Sequence, residues 1–69
     1  MEIRDVFAQN LRRIRQAKKM SQEELAHRAS IDRTYVSSLE RGVYNPTIEI
    51  VAKIAKALEV EAADLLVVP

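Results

Sequence analysis

Between Ser21 and Gly42 the chain carries two helix-start signals eleven residues apart, room for only two short helices and a tight turn. Ser21 followed by Glu24 has capping-box spacing, in which each side chain answers a free backbone N–H at the other position. Leu25, Ala26 and Ala29 then form the buried stripe of one helix. A break at Ser30-Ile31 leads to Asp32, a good N-cap for a second helix predicted to end near Arg41, with Gly42 as its left-handed C-cap. The rest of the chain reads as scaffold for this pair.

Upstream, Phe7, Leu11 and Ile14 share one face of a helix predicted over Arg4 to Lys18, with Ile3 entering from before it. Downstream, Val43-Tyr44-Asn45-Pro46 is a loop. Thr47 caps a helix predicted to reach Leu58, and a last short helix is expected from about Ala62 to Leu66, with Glu61 a mediocre cap. Five helices with short connections predict an all-α, compact orthogonal bundle forming a single domain over residues 1–69. Scarce aromatics and only three Gly and Pro residues together argue against a β-sandwich or barrel.

The chain has no cysteine, so neither a disulfide framework nor a zinc finger holds the fold. His27 stands alone on a polar helix face, without a nucleophile or metal-ligand constellation, and reads as a surface histidine. No catalytic residue, metal site or cofactor is expected, nor is an effector pocket apparent. No apolar run approaches a membrane span and the N-terminus lacks a signal peptide's apolar segment, so the expectation is a soluble cytoplasmic protein without membrane contact. The formal charge of +1 hides an uneven distribution. Arg12, Arg13, Arg15, Lys18 and Lys19 crowd the end of the first helix, while Glu59, Glu61 and Asp64 lie near the C-terminus. Lys18 and Lys19 either complement the helix macrodipole or add to a phosphate-facing patch.

The helix after Asp32 is unusual on its outer side. At about 100° per residue, Arg33, Thr34, Ser37, Ser38 and Arg41 fall within roughly a 140° arc, with Val36 and Leu39 opposite and Tyr35 beside them. A solvated face normally carries Glu, Lys and Gln rather than poor helix formers such as Thr and Ser. Short polar arms allow close approach to another surface, and an Arg at the N-terminal end can bond bidentately to guanine. The pattern fits a helix that reads double-stranded DNA in the major groove.

The runs Gln22-Glu23-Glu24-Leu25-Ala26, Arg33-Thr34-Tyr35-Val36-Ser37, Glu40-Arg41-Gly42 and Asn45-Pro46-Thr47 resemble the lambda-repressor-like, or Xre, helix-turn-helix family over about Leu11 to Leu66. The Asp32-Arg33-Thr34-Tyr35 segment in so small a domain is most similar to controller proteins of restriction–modification systems. The resemblance implies a helix-turn-helix over about residues 21–41, with 33–41 as recognition helix. It implies base contacts from Arg33, Thr34, Ser37 and Ser38. Backbone or outer-base contacts would come from Gln22, Tyr35, Arg41, Tyr44 and Asn45. It also implies a structural ion pair between Arg15 and Glu40. The family often has Gly where this chain has Lys19 and Ser30, so positive φ at either position would strain a non-Gly residue.

The fourth helix is more apolar than one core face requires. Ile48, Val51, Ala52, Ala55 and Leu58 form one stripe, and Ile50, Ile54 and Ala57 a second; Leu65-Leu66-Val67-Val68 adds more. Either the first and last helices bury both stripes, or a homodimer does, with Ile50, Ile54, Ala57, Leu65, Leu66 and Val67 as its interface. A two-fold dimer would set its reading heads about 34 Å apart on a pseudo-palindromic operator. The expected function is thus a sequence-specific transcriptional regulator. The alternative is an antitoxin or adaptor module whose apolar C-terminal surface binds a protein partner.

Overall fold

Every helix in this chain begins at a residue whose extended backbone turns into the first helical turn, and three of the four α-helices are capped by a side chain there. The computed structural model describes all residues, Met1–Pro69. It contains α1 (Ile3–Ala17), α2 (Gln22–Ala29), α3 (Arg33–Glu40), α4 (Ile48–Leu58) and a terminal 3-10 turn (Ala62–Leu65). Ser21 Oγ accepts from the Glu24 N–H, Asp32 Oδ1 from the Thr34 N–H, and Thr47 Oγ1 from the Ile50 N–H. Each satisfies a donor the helix itself cannot.

The four α-helices also end alike. Lys19, Ser30, Gly42 and Glu59 all have φ between 56° and 71°. The N–H of the following residue (Met20, Ile31, Val43, Val60) reaches back to Arg15, Ala26, Ser38 and Ala55 carbonyls respectively. This is the Schellman pattern, in which the apolar residue after the left-handed one folds back towards the core. Three of these four residues are not glycine. A Cβ at Gly42 would lie 3.0 Å from Asp5 Oδ1, the tip of an exposed side chain that can swing aside, so the left-handed backbone is what favours glycine there.

Ser30→Gly should therefore relieve strain of about 1 kcal/mol, partly offset by the greater freedom of glycine in the unfolded chain. The expected melting temperature is unchanged or a few degrees higher. A fall of several degrees would mean that the Ser30 side chain contributes something its geometry does not reveal.

The core forms where α1, α2, α3 and α4 converge, on Phe7, Leu11, Leu25, Val36, Leu39, Ile54 and Leu58. α2 packs on α3 and α4, α1 packs on α3, and the terminal turn closes on both α1 and α4. Asn10 anchors this closure from within the core. Its fully buried amide donates to the Leu65 and Val67 carbonyls at 3.0 and 2.7 Å, and its Oδ1 accepts from Arg13 at 3.1 Å. Both amide hydrogens and the carbonyl oxygen are engaged, so burial carries no unpaired group.

Several sequence expectations need correction. There are four α-helices rather than five, because the last element is a single 3-10 turn, closed by the Asp64 carboxylate accepting from the Glu61 N–H. The capping box at α2 is only half made: Glu24 turns outward to pair with Arg28 at 2.6 Å, one helical turn on. Ile3 belongs to α1 and is exposed, and Ile48 is 88% exposed rather than part of the core stripe. Ala52 of that stripe also faces solvent.

The expected dimer face changes most. Ile54 and Leu65 are fully buried and Ala57 is 9% exposed, all within their own subunit. α2 packs along α4 with Arg28, Ala29 and Ser30 beside Ala57, and the terminal turn, pinned by Asn10, closes on α4 too, so these residues are covered without a partner. Ile50 is half-buried, and Leu66 and Val67 remain exposed.

Candidate nucleic-acid interface

α3 presents two unlike sides. Val36 and Leu39 are fully buried, while Arg33, Thr34 and Arg41 are exposed and Ser37 and Ser38 half-exposed on the other side. At 1.5 Å per residue this eight-residue helix is about 12 Å long, a length matched to the width of a major groove. Nothing in the subunit covers its outer face. Arg33, its first residue, makes no side-chain hydrogen bond or ion pair within the chain.

Two polar groups on this face are already partly engaged. The Thr34 hydroxyl donates to Asp32 Oδ1 at 2.8 Å, alongside the backbone N–H at 3.0 Å. Its proton is therefore committed, and Thr34 offers a methyl group and an acceptor rather than a donor. Arg41 Nη2 reaches Ser38 Oγ at 3.4 Å, a long contact that a stronger acceptor would displace.

The bonds from Thr34, its backbone N–H foremost and its hydroxyl second, hold the Asp32 carboxyl below the usual carboxylate range. A depressed folded-state value means a stabilising contribution present above about pH 4 and lost as pH falls through and below that point. The Asp32→Asn chain keeps an acceptor at the cap but does not titrate. In an acid series of thermal melts, the wild type should lose stability relative to Asp32→Asn as the carboxylate protonates. Parallel curves would show that the cap charge plays no part.

The C-terminal end of α3 is tied down by Glu40. Its buried carboxylate accepts from Arg15 Nε at 2.5 Å, Arg15 Nη2 at 3.0 Å and Gln22 Nε2 at 3.1 Å. Arg15 also donates to the Met20 carbonyl at 2.9 Å, and Arg12 to the Glu40 carbonyl at 3.2 Å. Hydrogen bonding to Glu40 raises the Arg15 pKa above its ordinary value, against the smaller opposing effect of burial. One carboxylate thus joins α1, the start of α2 and the end of α3. Gln22 is held by this network, leaving its carbonyl and one amide hydrogen free to meet another molecule.

An open cleft lined by Arg15, Ser21, Gln22, Glu23 and Arg33 lies at the N-terminus of α2. The positive end of the helix dipole and the unpaired Arg33 guanidinium favour a phosphate there, against the Glu23 carboxylate, while the Arg15 guanidinium is already committed to Glu40 and Met20. On the far side of α3, the half-buried Tyr35 ring meets the Tyr44 ring at 6.1 Å between centroids, tilted by 41°. Tyr44 is 53% exposed, and Asn45 beside it is exposed.

The structure therefore groups Arg33, Thr34, Ser37, Ser38 and Arg41 on one open face, flanked by Gln22 on one side and the Tyr35–Tyr44 pair on the other. Sequence reasoning missed the tyrosine pairing, the Gln22–Glu40 bond and the roles of Arg12 and Asn10. The first three depend on partners far apart in the chain. Asn10 did carry a signal, since it lies next to Leu11 and on the side of the helix shared with Phe7 and Ile14.

A helix-turn-helix family model matches residues 11–65. Among curated relatives, the control protein C.BamHI of Bacillus amyloliquefaciens is 48% identical over 65 residues, covering 93% of this chain and 80% of that protein. Among solved structures, the hypothetical transcription factor NHTF from Neisseria superposes with a TM-score of 0.95 at 46% identity, covering 99% of this chain and 78% of that one. The restriction–modification controller protein C.Esp1396I, solved as a tetramer with its natural 35 base-pair operator, matches with a TM-score of 0.87 at 35% identity, covering 94% of this chain and 86% of that one. Since the matched residues take in the whole of α2, α3 and α4, this chain belongs to the lambda-repressor-like, Xre-type helix-turn-helix family of DNA-binding regulators.

Proposed function

We propose that this chain is a sequence-specific transcriptional regulator of the restriction–modification controller type, acting in the cytoplasm as a homodimer on a pseudo-palindromic operator. The observation that carries the reading is the uncovered polar face of α3 above a buried apolar back. Arg33, Thr34, Ser37 and Ser38 read base edges. Gln22, Tyr35, Arg41, Tyr44 and Asn45 hold the sugar-phosphate walls, and the Arg15–Glu40 pair keeps the reading helix in place. The C.BamHI and C.Esp1396I names, and the operator bound to the latter, support the same reading. The action is binding alone, without a catalytic step, cofactor or metal. The dimer forms through the accessible apolar residues Ile50, Leu66 and Val67.

Selection of bound duplexes from a random pool tests this directly. The expected product is an inverted repeat with half-site centres about 10–10.5 base pairs, or a multiple of that, apart. Binding to the selected site should weaken with salt, with a log–log slope of about −0.9 for each phosphate neutralised. Recovery of no preferred sequence, or binding indifferent to salt, would overturn the reading.

A further inference from the structure

Of the side chains that cap the α-helices, one does more than capping requires. Ser21 and Thr47 each accept a backbone N–H, from Glu24 and Ile50 respectively. Asp32 accepts twice at a single oxygen: Oδ1 takes the Thr34 N–H at 3.0 Å and the Thr34 hydroxyl at 2.8 Å. Both residues are exposed where α3 begins, beside the unpaired Arg33. A serine in place of Asp32 would cap the helix about as well. Its hydroxyl could give or take a proton, however, and would leave the Thr34 rotor unset. An ionised carboxylate only accepts, so the Thr34 proton has to point at it.

With its proton held, Thr34 Oγ1 has only lone pairs to turn outward. The edges of the bases in the major groove divide on this property. Adenine N6 and cytosine N4 are amino donors, whereas guanine presents O6 and N7 and thymine presents O4, all acceptors. A lone pair set against an acceptor makes no bond and leaves both groups desolvated without a partner.

We propose that Asp32 sets the class of base that Thr34 selects: by holding the hydroxyl proton it makes Thr34 an acceptor only, so the base it faces must be an amino base, adenine or cytosine, and not a keto base, guanine or thymine. The inference rests on the reading of α3 as the base-reading helix and names what one of its residues distinguishes. Asp32 is a positioning residue here, acting on the base through Thr34.

Anisotropy titrations on paired operators test it. The position to examine is the one in each half-site that broadens when the duplex selection is repeated with Thr34→Val, which loses the hydroxyl but keeps a branched side chain of similar size. The expected base there is adenine or cytosine. Turning that base pair end for end sets a keto base in its place and should weaken wild-type binding about tenfold. The ratio of the two affinities is the readout, because partial unfolding of a variant that loses its cap lowers both alike. Asp32→Ala should bring the ratio to within about twofold of unity, since the freed hydroxyl can donate to a keto oxygen as well as accept from an amino group. Asp32→Asn, whose amide oxygen can still accept both bonds, should stay within about twofold of the wild-type ratio. In a Thr34→Val background, Asp32→Ala should leave the ratio unchanged.

The proposal is overturned if Thr34→Val broadens no position, if a keto base stands at the position it broadens, or if Asp32→Ala keeps the wild-type ratio. It is equally overturned if Asp32→Asn falls to the Asp32→Ala ratio. An Asp32→Ala effect of the same size with and without the Thr34 hydroxyl would make Asp32 itself the base contact and overturn it too. A wild-type chain that selects no sequence at all overturns the reading of α3 instead, a distinct result.

Discussion

Replacing Arg33 with alanine should weaken binding to the selected operator by about 1–3 kcal/mol, roughly 5- to 150-fold, and relax the preference at one base position in each half-site. The structure makes this a clean experiment. Arg33 is the first residue of α3, exposed and without an intrachain partner, so its removal takes away no packing and no internal hydrogen bond. The melting temperature should stay close to wild type while anisotropy titrations show the loss. Repeating the duplex selection with the variant distinguishes a base contact from a phosphate contact. A base contact broadens one position. A phosphate contact instead weakens all sequences alike and lowers the salt slope by about one. An alanine variant with unchanged affinity and unchanged consensus would remove Arg33 from the interface.

Glu40→Ala should act on the opposite property. Its carboxylate is buried against Arg15, whose side chain is 12% exposed. Removing the anion leaves that guanidinium largely desolvated and uncompensated, and strands the Gln22 amide as well. Breaking one partner of such a pair costs about 3–5 kcal/mol, against about 5–15 kcal/mol for the total stability of a typical domain. Urea denaturation should show the midpoint falling steeply, and operator binding should weaken because the end of α3 is no longer tied to α1 and α2. The combined Arg15→Met and Glu40→Leu exchange should recover much of the stability, since replacing both charges avoids the orphan. A Glu40→Ala chain within about 1 kcal/mol of wild type would show that solvent reaches Arg15 more freely than its burial implies.

These two residues illustrate what could be read ahead of the structure. The exposed face of α3 was legible because periodicity places Arg33, Thr34, Ser37, Ser38 and Arg41 together whatever the helix packs against. Ser21, Asp32 and Thr47 were legible as caps because each bonds to an N–H two or three residues away. Local competition set the limit even there. Glu24 had the right spacing for a reciprocal cap but bonded to Arg28 instead. Glu59 took the left-handed position without being glycine, for which the apolar Val60 after it was the readable sign.

The dimer face was the largest miss, and its cause is physical. A helical pattern shows that α4 has two apolar sides, but not which neighbour covers each. α2 packs along α4 and sets Arg28, Ala29 and Ser30 beside Ala57, while the terminal 3-10 turn, drawn in by Asn10 from 55 residues away, closes on α4 as well and is itself buried at Leu65. That bond depends on how α1 and α4 lie against each other. The Gln22–Glu40 link and the Tyr35–Tyr44 pair likewise join residues far apart in the chain.

The helices, their caps and the outward side of α3 thus follow from interactions spanning no more than about one helical turn, which neighbouring residues specify unaided. Which apolar surface stays wet, which arginine keeps an unpaired donor and which glutamine is already held are long-range matters. They were decided only when α1, α3, α4 and the chain end came together, because burial belongs to a residue's surroundings in space rather than to its place along the chain.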